Sequence, residues 1–395
     1  MSELLISRSA DIPDPLRVAR ARSLPNLGPR LLFLSGGSAL NDIARRLKLY
    51  THNSIHLITP FDSGGSSQVL RQAFDMPAVG DLRSRLMALA DETELGQPDI
   101  FRLFSYRFPS ETSKAAQESE LGALLAGEHR LMRAITQPMR RLILSQLRAF
   151  ADQRPVGFDL AGASLGNLIL AGGYLTHERA LEPVLFLMSK MVDVRGTVRA
   201  IVDDTLGLGA ELENGQLVLG QRELTGKEVP PITAPIRQLF LTRDGARLAA
   251  GSVPLPKRNR RLIERADLIC YPPGSLYTSV LANLLPAGAG RAIAARNVPK
   301  IYLPSLGQDP ECLGLTLADQ VAALLAYLRA DAGSDCPTKA LLNVVICDSE
   351  ATSPDQRQAV EARFGIPCLP LALARTTRPD RYDPQPVCEA LISLT

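Results

Sequence analysis

The chain contains no run of about 18 uninterrupted apolar residues, the length a helix needs to cross a bilayer, so no membrane span is expected. Its start carries Glu3, Arg8 and Asp11 and has no apolar stretch of a signal peptide behind a basic segment. The cysteines, Cys270, Cys312, Cys336, Cys347, Cys368 and Cys388, are scattered, and none forms a close pair. That spacing gives no zinc motif and fits reduced thiols in a cytoplasmic protein. His52, His56, His129 and His177 stand beside no Cys, Ser or acid at a nucleophile or metal spacing, and a serine-hydrolase elbow is also missing. Neither sign of charge dominates. A net charge of +3 offers no case for a nucleic-acid partner, although the N-terminal region is locally basic.

Two nucleotide-binding signatures are absent as well. The turn Gly36-Gly37-Ser38-Ala39-Leu40-Asn41 lacks the spaced third glycine of a dinucleotide fingerprint and the Gly-Lys-Ser/Thr of a P-loop, so no NAD is indicated. What precedes and follows that turn is informative. Leu31 to Leu34 is a short apolar run, long enough for a buried strand. Leu40, Ile43, Ala44 and Leu47 then recur at helical spacing, and a second apolar run from Ile55 ends at Asp62. Strand, Gly-rich turn, helix, strand and acid open a doubly wound α/β fold, in which ligands bind beyond the carboxyl ends of the strands.

The stretch from Gly64 to Asp91 gathers Gly64, Gly65, Gly80, Ser66, Ser67, Ser84, Arg71, Arg83 and Arg85 close to Asp62 and Asp81. Glycine lets backbone N–H groups come near a ligand, and arginine grips phosphate in a two-pronged fork. The segment reads as a cradle for a nucleotide diphosphate; a polar turn with a surface helix is the alternative. A later strand, Leu268 to Tyr271, ends in Pro272-Pro273-Gly274-Ser275 and a helix, so a ligand could sit on that helix start. Tyr277 there stacks on a ring or fills the core. Ser164 before Leu165 reads as a helix cap or a second ligand contact.

The remaining pattern divides simply. Residues 1–28 form a basic arm, extended or briefly helical, and residues 29–395 one α/β domain. The pattern turns helical at 111–155, broken near Pro138, and this is read as an insertion. Asn214-Gly215 marks a hairpin, and Asp244-Gly245 another turn, in a small antiparallel extension. Asp203-Asp204 could bind Mg²⁺ or be solvated. The fold expected is a doubly wound, mainly parallel Rossmann-like sheet with a small antiparallel β extension and a helical insertion.

On these residues the chain resembles the family that joins 2-phospho-L-lactate transferases (CofD-like) with gluconeogenesis factors (YvcK-like). The carriers are Gly36-Gly37, Asp62 to Ser67, Pro77 to Asp91, Tyr106-Arg107-Phe108, Ser164 to Leu168, Pro273 to Ser279, and Asp383-Pro384 with the tail. The GGSS and PGSLYTS motifs favour the YvcK-like branch. Two departures stand out: Ser63 replaces the second acid of an Asp-Asp pair, and Ala163 replaces a His. The resemblance implies a ligand set of Gly36, Gly37, Ser38, Asn41, Gly64, Gly65, Ser66, Ser67, Arg71, Gly80, Asp81, Arg83, Asn167, Gly274, Ser275, Tyr277 and Ser279. It implies Asp62 as catalytic acid or Mg²⁺ ligand if the protein is an enzyme. Transferase members move a phospholactyl group from a guanosine-diphosphate-linked donor to a deazaflavin alcohol with Mg²⁺. YvcK-like members are regulators that bind UDP-sugars, and the motifs favour that role here. A homo-oligomer is also expected.

Overall fold

The computed structural model describes residue 9 and residues 11–93, 95–226 and 228–395; Glu3 and Arg8 of the basic arm lie outside the described residues. In chain order the strands are β1 (Leu31–Ser35), β2 (Ile55–Ile58), β3 (Thr197–Ala200), β4 (Gly207–Leu212), β5 (Leu217–Leu219), β6 (Ile236–Arg243) and β7 (Ala246–Arg247). They continue with β8 (Leu268–Tyr271), β9 (Lys300–Tyr302), β10 (Val344–Asp348), β11 (Cys368–Leu371), β12 (Ala374–Arg375) and β13 (Arg378–Tyr382). Seven of them make one sheet in the order β11-β10-β9-β8-β1-β2-β3. Every pairing in that sheet is parallel.

The order explains the apolar runs. A parallel sheet is covered on both faces, so its central strands are mostly apolar along their length rather than only at alternate positions. All five residues of β1 are buried. Leu32 and Leu34 pack with Leu57, Ile269 and Tyr271 on one face. Leu31 and Phe33 pack with Leu268, Cys270 and Ile301 on the other. Burying a Leu or Ile side chain contributes about 1.5–3 kcal/mol. Strand β10 begins only at Val344, because Leu341 and Leu342 close a short 3₁₀ turn first.

The antiparallel extension is a four-stranded sheet, β5-β4-β6-β7. Its tight turns fall where the sequence places them, with Gly215 at φ +83° and Asp244 and Gly245 at φ +51° and +78°. Residues 111–155 carry the helices Lys114–Ala126, Arg130–Ala134 and Met139–Gln153, and the last packs closely along the helix Leu165–Thr176. Pro138 stands at the N-terminus of the third, where its missing N–H costs nothing. The helix Pro15–Ser23, capped by Asp14, packs Val18 and Ala21 onto this chain's own C-terminal helix, Pro384–Ser393. No helix among the described residues is long and apolar enough to cross a membrane.

Candidate functional site

Strand order reverses between β1 and β8. The chain runs outward from β1 through β2 to β3, then returns to the other side of β1. Loops leaving two such strands diverge and leave a crevice at the carboxyl edge. The turns after β1 and β8 meet there. A Cβ on Gly36 would lie 2.7 Å from Ser279 Oγ and 2.8 Å from Thr59 Oγ1, so only glycine lets the first turn come this close. A Cβ on Gly274 would lie 3.9 Å from that of Ala39.

Three helix starts converge beside this crevice. Ser66 and Ser67 belong to the first turn of Gly65–Phe74, Gly80 opens Gly80–Leu89, and Asn167 is in the first turn of Leu165–Thr176. Asn167 Nδ2 donates to Ser66 Oγ at 3.4 Å. A Cβ on Gly80 would meet Ser67 Oγ at 2.5 Å, with Asp62 Oδ2 at 3.6 Å and Asn167 Nδ2 at 3.9 Å. The first turn of a helix exposes N–H groups without partners and the positive end of its dipole. Three of them around one small space make a site that attracts an anion. Asp62 Oδ1 accepts the Gly64 N–H at 3.0 Å, and Gly64 and Gly65 approach the carboxylate of Glu228.

The arginines divide by role. Arg83 donates to Asn167 Oδ1 at 2.9 Å and to the Phe104 carbonyl at 3.3 Å. Burial, and then the neighbouring Arg107 guanidinium, lower its pKa to about 10, while Asp81 favours its charge. Arg85 is fully buried below the first turn. It holds Asn41 Oδ1 at 2.9 Å, the Gly37 carbonyl at 3.2 Å, Ser35 Oγ at 3.3 Å and His56 Nδ1 at 3.0 Å. Burial lowers its pKa to about 10 as well. His56, stacked on Phe33 with ring centroids 5.0 Å apart, is kept neutral by burial and then by Arg85. Asn41 donates to Ser84 Oγ at 2.7 Å, which ties the first turn to the Gly80–Leu89 helix. Ser38 lines a 310 Å³ cavity on the outer side of that turn.

The structure corrects some sequence expectations and decides between alternatives in others. Arg71 does not reach the crevice: it donates to the Asp62 and Leu206 carbonyls at 3.3 and 2.7 Å, because its helix phase turns it toward the backbone. Tyr277 is in the core, 4% exposed, with its hydroxyl donating to the Ile236 carbonyl at 3.3 Å. The helix start after Ser275 is closed to an external anion. Leu276 N–H goes to Asp309 Oδ2 at 2.8 Å, and Tyr277 and Thr278 N–H go to Glu311 Oε2 at 2.9 and 2.8 Å. Ser164 makes no side-chain cap; its hydroxyl is buried without a partner among the described residues. Asp203 and Asp204 are each paired with an arginine, Arg258 and Arg243.

Several site residues carried little signal. Arg85 and Arg107 sit inside motifs already singled out, but nothing local gives their direction. Ser63, in the place of the family's second acid, accepts the Arg222 N–H at 2.9 Å, so its hydroxyl serves the loop. Asp309 and Glu311 reach the Leu276 turn from a segment after β9, and only the fold reveals it. Past Gly274, Ser305, Asp309 and Gln320 line a cavity of 530 Å³.

The comparisons with known proteins agree with this architecture. A relative from Nostoc sp. is 30% identical over 299 residues, covering 75% of this chain and 52% of that protein. The chain thus spans about half the length of that relative. The "Gluconeogenesis factor" of Bacillus subtilis is 30% identical over 301 residues, 76% of this chain and 75% of that protein. That of Halalkalibacterium halodurans is 29% identical over 299 residues, 75% and 73% of the two chains. A crystal structure of a UPF0052 family member from Bacillus halodurans has the same fold, with a TM-score of 0.66 over 92% of this chain and 99% of that one at 24% identity. The sequence model described as 2-phospho-L-lactate transferase CofD matches residues 31–367. The chain belongs to the 2-phospho-L-lactate transferase CofD family.

Proposed function

We propose that the protein binds a nucleoside-diphosphate ligand of the UDP-sugar type and acts as a regulator in carbon or cell-envelope metabolism. The observation that carries this reading is the meeting of three helix starts around Gly80, with Arg83 beside them. The diphosphate would take the N–H groups near Ser66, Ser67, Gly80 and Asn167. Arg83 adds a charge whose burial makes an anionic partner favourable. The 530 Å³ cavity past Gly274 offers room for the base or sugar. The "Gluconeogenesis factor" name of the relatives supports a regulatory role.

The family's transferase name supports a second reading, a Mg²⁺-dependent phospholactyl transferase. Asp62 is the carboxylate that would hold the ion, and Mg²⁺ is often held by one or two carboxylates together with substrate phosphates. When bound, the ion would neutralise charge developing on phosphorus. Ser63 offers no second carboxylate, which favours the regulator.

Isothermal titration with UDP-glucose, UDP-N-acetylglucosamine and GDP, each with and without Mg²⁺, tests the proposal. Saturable binding of a UDP-sugar without Mg²⁺ is the result expected. Binding of GDP alone with a strict Mg²⁺ requirement, followed by product from a deazaflavin acceptor, would overturn it.

A further inference from the structure

Away from the crevice, a cavity of 430 Å³ opens between β6, β7 and the helix Leu317–Ala332. Its walls include Leu239, Phe240, Leu241 and Leu284, all buried, with Ala326 and Ala330 leaving the space unfilled on the helix side. Pockets that take small molecules have this size and this mostly apolar lining, with a few placed polar groups.

Two features narrow the occupant. Each charged side chain at the rim already has a partner: Arg237 and Arg247 share the Glu211 carboxylate at 2.9 and 3.6 Å, and Asp331 pairs with Arg291 at 3.2 Å. Among the described residues, none of these rim charges is left without an opposite partner. The Tyr327 hydroxyl accepts the Leu239 N–H at 2.7 Å, and its own proton has no acceptor among the described residues. Burial pushes that phenol up to about 12, so it stays protonated and able to donate. At the mouth the Arg247 guanidinium lies 4.4 Å from the centre of the Phe240 ring, a flat surface on which a ring can stack.

We propose that this cavity is a second ligand site, for a small neutral aromatic molecule carrying a carbonyl group that accepts the Tyr327 proton. It is separate from the nucleotide reading, and its test does not depend on any nucleotide.

The test uses the full chain and the neutral fluorescent ketone 6-propionyl-2-(dimethylamino)naphthalene. One saturable site per chain with a blue-shifted emission is expected. The same ring without the ketone, N,N-dimethyl-2-naphthylamine, should bind about two- to tenfold more weakly, the span of one net hydrogen bond. Tyr327→Phe should erase that difference while still binding both. Ala330→Phe, on the exposed side of its helix, should fill the space and abolish binding with the melting temperature retained. Several weak sites per chain, unchanged binding in Ala330→Phe, or equal affinity of the two probes for the wild type would overturn the proposal. So would displacement of the probe by self-association at rising protein concentration, since a second copy would then own the cavity.

Discussion

Two parts of the carboxyl edge are built from similar pieces and end differently. After β2 and in the segment that follows, small residues open three helices whose first turns face a shared space. After β8, Gly274 and Ser275 open another helical turn, but its N–H groups are already taken by Asp309 and Glu311. One region leaves its helix starts facing an open space, and the other satisfies its donors with the protein's own carboxylates. The same local signal therefore opens a candidate site in one place and a structural joint in the other. The difference lies in a segment more than thirty positions away.

The closed joint gives the largest expected effect. Glu311 is fully buried and accepts from Tyr277 N, Thr278 N and Thr278 Oγ1, the last at 2.5 Å. Glu311→Ala strands three donors in the interior. It should cost about 3–5 kcal/mol in a urea titration. Glu311→Gln, which keeps the shape and one acceptor, should cost less. Nucleotide affinity per folded molecule should change little. A large loss of affinity with stability intact would make the joint a ligand site after all.

The open region is broken most directly at Arg83. Arg83→Ala removes a buried donor beside Asn167 and should weaken a UDP-sugar about ten- to a hundredfold by calorimetric titration. Arg71→Ala is the control. Its guanidinium serves carbonyls rather than the crevice, so it should lower stability more than affinity. If Arg71→Ala hits binding harder than Arg83→Ala, the orientation argument fails.

Much of this was legible in the sequence, and the reasons are physical. β1, β2 and β8 show as mostly apolar, fully buried runs because both faces of the sheet are covered, and a glycine or proline follows each closely. The meeting of the Gly36 and Gly274 turns follows from parallel strands placing their carboxyl ends on one edge. Side-chain direction was not legible. Arg71, Arg83 and Arg85 look alike in composition. Helix phase and the neighbouring carbonyls send one to the backbone, one to the helix starts and one beneath the first turn. Tyr277 stayed open between stacking and core for a similar reason: Tyr327, which meets its ring edge-on with centroids 6.4 Å apart, comes from a helix fifty positions further on.

The buried pair beneath the first turn adds a pH dependence. Burial, and then Arg85, hold the His56 pKa well below 6.5, so the folded state stays neutral where the unfolded chain takes up a proton. Its contribution is therefore full above pH 6.5 and is lost as pH falls below that value, by up to about 1.4 kcal/mol per pH unit. His56→Gln should lose less stability than the wild type between pH 7.5 and 5.5, measured by urea midpoints at both. Equal slopes would mean that the imidazole titrates normally and that the first turn is looser than the Arg85 bonds imply.

The smallest effect separates the two functional readings, and it rests on Asp62. Its Oδ1 is engaged by the Gly64 N–H, a bond that Asn would keep, so Asp62→Asn should leave the loop folded. Its Oδ2 faces Gly80 at the centre of the open region. In a regulator that oxygen accepts from a ligand hydroxyl. An amide placed there weakens a UDP-sugar by about two- to tenfold, with or without Mg²⁺. In a transferase the carboxylate would act mainly on the transition state, so turnover would vanish while ground-state binding stayed close to wild type. Titration of the variant with and without Mg²⁺, beside a turnover assay, separates the cases. A modest, Mg²⁺-independent loss keeps the open region a binding site. Lost turnover with binding intact would make it a catalytic one, with Ser63 the mark of a site that manages with a single acid.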